Sequence, residues 1–123
     1  MTGYMSDKTS NLRVLFCFGV LPALFDEKTV DLPRILEQIT AAYANLEQRF
    51  GIRILGSFDD DQIMMGPSAQ WPWTAYILAD APSYDAIVAV CNITRAAPIG
   101  EYRLSRYMRV EARIGRSLFF CDK

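Results

Sequence analysis

The longest uninterrupted apolar run of the chain is Leu12–Leu21, which predicts a central strand buried on both faces. A polar loop over Phe25–Val30 follows, then Asp31 as an N-cap with Pro33 in the first helical turn. Ile35, Leu36, Ile39, Ala42, Tyr43, Leu46 and Phe50 recur at helical spacing and make one apolar stripe. One helix is therefore expected to run to about Phe50, with Gly51 ending it at C′. Ile52–Phe58 reads as a second strand, Asp59–Asp61 as a turn and Gln62–Met65 as a short return strand. Trp73–Ala79 reads as a third strand. Ser83 caps a second helix, whose buried face is expected at Tyr84, Ile87, Val88 and Cys91.

The last strand is predicted over Tyr102–Ile114. At period two, one face is Tyr102, Leu104, Arg106, Met108, Val110, Ala112 and Ile114, apolar apart from one arginine. The opposite face carries Arg103, Ser105, Tyr107, Arg109, Glu111 and Arg113.

The order is βαβ followed by βαβ. It predicts an α+β, ferredoxin-like βαββαβ domain over residues 12–123, a four-stranded antiparallel sheet with two helices on one face, preceded by a disordered tail over residues 1–11. Both rows of the first strand are apolar, yet helices cover only one. A bare apolar sheet face is unusual in a monomer, so a homodimer packed sheet to sheet, a dimeric α/β barrel, is expected, with a ligand site in the hollow between the sheets.

Composition narrows the chemistry. The chain has 123 residues, a net charge of −1 and no histidine. The commonest general base and metal ligand is thus absent, and histidine-ligated haem is excluded for this chain alone. Cys17, Cys91 and Cys121 are too scattered for a zinc or disulfide framework, and Cys17 and Cys91 read as buried thiols of a reduced compartment. No glycine-rich phosphate motif is present, and no cofactor or metal is expected. Nucleic-acid binding is disfavoured by the acidic balance and the missing aromatic-basic strand signature. The apolar run contains Arg13 and Pro22 and is too short to cross a bilayer, and the polar start lacks a signal-peptide pattern, so a cytoplasmic protein is expected, with no membrane partner. Met5 is a second possible start.

Charge is uneven: from Arg95 to Arg116 six arginines stand against two glutamates. Arg106, within an apolar row, needs either an anionic ligand or an acid such as Glu111, Asp80 or one from a partner subunit. Trp71, Trp73 and Tyr76 can flank a planar ring or simply pack. Tyr102 and Tyr107 fall near the arginines, where a phenol can move protons or merely bond at a sheet edge. These six residues are the candidate ligand contacts; no catalytic residue is assigned. Asp59–Asp61 lacks the spacing of a calcium loop and reads as a solvated turn.

The pattern resembles the dimeric α/β-barrel superfamily. The segments Ala79-Asp80-Ala81-Pro82-Ser83-Tyr84-Asp85, Tyr102-Arg103-Leu104-Ser105-Arg106-Tyr107 and Glu111-Ala112-Arg113-Ile114-Gly115-Arg116 are similar to small bacterial darcynin-type proteins and to the small component that accompanies indole-3-acetate degradation enzymes. The resemblance implies a role in bacterial catabolism of an aromatic or indolic acid. Two functions follow as expectations. One is a small-molecule binder or cofactor-independent enzyme acting on such an acid. The other is a non-catalytic interaction subunit that docks a partner enzyme.

Overall fold

A computed structural model describes residues 12–67 and 72–121. Strands β1 (Leu12–Val20), β2 (Arg53–Asp59), β3 (Ala75–Ala81) and β6 (Met108–Gly115) form one antiparallel sheet in the order β2-β3-β1-β6. The short strands β4 (Pro98–Ile99) and β5 (Tyr102–Arg103) form a separate hairpin, turned at Gly100 with φ 59°. The architecture is α+β and compatible with a ferredoxin-like fold. No helix among the described residues is long and apolar enough to cross a membrane.

The core lies on one side of the sheet. Val14, Phe16 and Phe18 of β1 face Ala79, Ile77 and Ala75 on one side and Ile114, Ala112 and Val110 on the other. Large residues on the central strand and the alanines beside it let helices approach closely. Ile35, Leu46, Ile87, Val90 and Ile93 close this layer from α2 (Leu32–Ala42), α3 (Leu46–Phe50), α4 (Tyr84–Cys91) and α5 (Ile93–Ala96). A one-turn helix α1 (Pro22–Phe25) follows β1.

The first long helix is in two pieces. Asn45 adopts φ 57°, and Arg49 Nη1 donates to the Ala42 and Ala44 carbonyls at 2.7 and 2.8 Å, satisfying the open end of α2. Asp31 makes no side-chain cap and sits in a 3₁₀ turn, whereas the Ser83 cap forms, accepting from the Ala86 N–H at 3.1 Å. Gly51 ends α3 with φ 75° as expected. On α4 the buried face is Ala86, Ile87 and Val90; Tyr84 and Val88 point to solvent. Gln62–Met65 forms no return strand, so β2 passes to β3 through a long connection.

The last predicted strand is also divided. Leu104–Arg106 is a 3₁₀ turn between β5 and β6. Leu104 and Tyr107 are both buried. Two residues three apart reach one side only with the three-residue period of that turn; a strand would send them to opposite faces. From Met108 onward the expected alternation holds, with Met108, Val110, Ala112 and Ile114 paired to core-side residues of β1.

Candidate functional site: the open face of the sheet

The face away from the helices is set by register. Gly115, Arg13, Asp80 and Arg53 form a row across the four strands. The next row is Arg113, Leu15, Leu78 and Gly56, and the third is Glu111, Cys17, Tyr76 and Phe58. Arg109 and Gly19 begin a fourth. The expected wholly apolar face is therefore corrected to an apolar centre bordered by charge. The row Leu15, Cys17, Gly19 is apolar within β1, but Arg113, Glu111 and Arg109 flank it on β6, and Arg13, Asp80 and Arg53 cross the sheet at its end.

A groove of about 670 Å³ opens at the Arg13 end of this face. Leu55, Leu78, Leu118 and Cys121 supply its apolar wall, and Arg13, Arg53, Arg116 and Asp80 its charge. The volume falls within the range of small-molecule sites. Arg13 Nε donates to Asp80 Oδ1 at 2.7 Å, with Nη2 to Oδ2 at 3.5 Å, and Nη1 donates to Ser117 Oγ at 3.2 Å. The Asp80 carboxylate thus neutralises one guanidinium, and the bond to Ser117 ties the segment after β6 to β1. Among the described residues, Arg53 and Arg116 have no acid partner. Two exposed cations beside an apolar wall can hold an anionic head and cover an apolar body.

At the far end of the same face Trp73 packs against Gly19. A Cβ on Gly19 would lie 2.8 Å from the Pro72 carbonyl oxygen and 3.3 Å from Trp73 Cε3. The Arg109 guanidinium covers the indole at 5.0 Å, so Trp73 is almost wholly buried and is a packing residue. Tyr76 stacks on Phe58 with ring centres 6.1 Å apart and donates its hydroxyl to the Trp73 carbonyl at 3.1 Å. Trp71 lies outside the described residues.

Arg106 requires a correction. It is exposed, lies in the 3₁₀ turn and belongs to no strand row. Its guanidinium carbon sits 4.0 Å from the Tyr102 ring centre and 6.0 Å from that of Tyr107. Aromatic faces satisfy it, while Glu111 pairs with Arg113 and Asp80 with Arg13. Tyr107 is buried and donates to Glu27 Oε2 at 2.9 Å. Burial first, then this bond, raises its pKa, against a smaller lowering by Arg106. Tyr102, Arg106 and Tyr107 cluster before β6, and the groove lies after it. The eight residues between span roughly 25 Å. None of the five described candidates, Trp73, Tyr76, Tyr102, Arg106 and Tyr107, lines the groove.

Of the groove residues, the pattern marks Asp80 only as a possible acid for Arg106 and gives Arg13, Arg53 and Arg116 no site role. Arg13 inside an apolar run is the one visible signal. Bringing it beside Asp80 and Arg53 takes the strand order and register. Elsewhere, the Tyr43 hydroxyl is buried without a hydrogen-bond partner among the described residues, and burial, with Cys91 nearby, raises its pKa strongly. Cys17, Cys91 and Cys121 are free thiols, the first buried and the last exposed, and no group of acids or cysteines among the described residues could hold a metal.

No family model matches the chain, and no curated protein or solved structure matches it either.

Proposed function

We propose that the protein binds a small organic anion in the groove at the Arg13 end of the open face. The observation that carries this reading is the pair of guanidinium groups, Arg53 and Arg116, without acid partners among the described residues and beside the wall of Leu55, Leu78 and Leu118. An aromatic or indolic carboxylic acid suits both halves, the carboxylate on the arginines and the ring against the leucines. That ligand class also fits the resemblance to proteins of bacterial indole-3-acetate catabolism. Titration of indole-3-acetate and phenylacetate by calorimetry tests the reading. Saturable binding that weakens at least tenfold in the Arg53→Gln, Arg116→Gln double variant supports it. Absence of saturable binding by either acid overturns it.

A second reading has its own observation. On the open face, Leu78 of β3 and Phe58 of β2 are exposed, with Leu55 exposed at the bulge beside them. The open face also carries both signs, Arg113 beside Glu111 and Arg13 beside Asp80, which a two-fold axis can match with itself. A second copy packed face to face would cover this surface and complete a barrel around the groove. Light scattering after size exclusion decides the point: a dimer lost in Leu78→Glu supports it. A monomer at all concentrations removes the barrel and leaves the face for a different partner, such as an enzyme that this chain accompanies.

A further inference from the structure

Resting on the anion-binding reading, we infer that the groove takes a dianionic head group on an apolar body, a phosphate monoester or a dicarboxylate, in preference to a monocarboxylate. The argument is a charge balance set by the sheet. Asp80 stands between Arg13 on β1 and Arg53 on β2, directly opposite both. Its two oxygens are engaged by Arg13 at 2.7 and 3.5 Å, so it cancels that guanidinium. Arg53 and Arg116 then remain as two positive charges on one groove, and a single carboxylate matches only one of them. Ser117 strengthens the case. Its Oγ accepts from Arg13 Nη1, which leaves the hydroxyl hydrogen free to donate to a head-group oxygen. Leu55, Leu78 and Leu118 supply apolar surface in the same groove, so the head group carries a hydrocarbon or ring.

The probes are benzoate, phenyl phosphate, phenylsuccinate and inorganic phosphate, titrated into the full chain at low salt and neutral pH. Phenyl phosphate, phenylsuccinate or both should bind about tenfold more tightly than benzoate, as one further charge-assisted pairing requires. Whichever of the two does so identifies the phosphoryl or dicarboxylate source. Arg53→Gln and Arg116→Gln, on exposed side chains, should each weaken the preferred dianion about tenfold and weaken benzoate less, so that the preference is lost. Phenyl phosphate holds its second charge only above about pH 6, so its affinity should fall towards that of benzoate between pH 7 and 5. Equal affinity for benzoate and both dianions overturns this inference and leaves the anion-binding reading standing. Inorganic phosphate matching phenyl phosphate overturns the apolar half. Failure of every probe overturns both readings.

Discussion

Arg13 and Asp80 occupy directly opposed positions on neighbouring strands, and Nε meets Oδ1 at 2.7 Å with both side chains less than one-third exposed. The pair does two things at once. It closes the end of the sheet face, and it sets how much positive charge the groove presents. Asp80→Asn separates these effects. It should lower stability by about 1–3 kcal/mol, because a partly buried guanidinium loses its counter-charge. It should also tighten anion binding, because Arg13 is freed. Urea denaturation and titration of the same variant check both directions.

Gly19 and Gly56 lie on the same face and should respond oppositely to one methyl group. At Gly19 the Cβ meets the Pro72 carbonyl at 2.8 Å, and Gly19→Ala should cost about 1–3 kcal/mol and change the emission of Trp73. At Gly56 nothing lies within 4 Å of the added carbon. Gly56→Ala should be neutral or stabilising by about 0.4–1 kcal/mol through the unfolded chain. Chemical denaturation of the two variants compares them.

Tyr43 and Tyr107 form a second contrasting pair. Tyr107→Phe removes the bond to Glu27 and should cost about 0.5–1 kcal/mol. Tyr43→Phe removes a buried hydroxyl that has no partner among the described residues and should raise stability by up to about 1 kcal/mol. Both phenols are held above the ordinary tyrosine value, so the folded state favours their neutral form. Their contribution is full below the unfolded value near pH 10 and is lost as pH rises through the higher folded value. Urea midpoints between pH 8 and 11 should therefore decline above about pH 10, and less steeply in Tyr43→Phe.

Arg106 stacks on Tyr102 at the far end of β6 from the groove. Arg106→Ala should leave anion affinity within about twofold and lower stability by about 0.5–1 kcal/mol, the worth of an exposed cation–π contact. A large loss of affinity in this variant would relocate the site. Calorimetry alongside Arg53→Gln makes the comparison direct.

The contrast between Arg106 and Arg53 also marks how far the chain alone can be read. Local signals were legible: the apolar run of β1, the stripe of α2 and α3, the Ser83 cap, Gly51 at a left-handed C-terminus, and the alternation of Met108 to Ile114. The β–α order followed from these. Failures arose where one period gave way to another. Alternation was extended through Leu104–Arg106, although Leu104 and Tyr107, three apart, already carried the spacing of a tighter turn. The helical stripe ran through Tyr43–Asn45, where Asn45 turns left-handed and Arg49 bonds back to the freed carbonyls. The groove was hidden for a different reason. Arg13, Arg53, Asp80 and Arg116 come from four separate segments, and only register across three strands makes them neighbours.

The sheet's margins carry one more consequence. On β2 the register slips between Ile54 and Gly56, so Leu55 is an extra residue in an otherwise regular edge strand. Such a bulge twists the strand and spoils its spacing as a template for another chain's backbone. At the opposite margin, β6 carries Arg109, Glu111 and Arg113 in alternation, charged side chains that a further strand laid alongside would have to desolvate. Both features disfavour extension of the sheet by a further strand. A deletion of Leu55 should straighten one margin and let two copies join edge to edge through β2, a pair that light scattering would show.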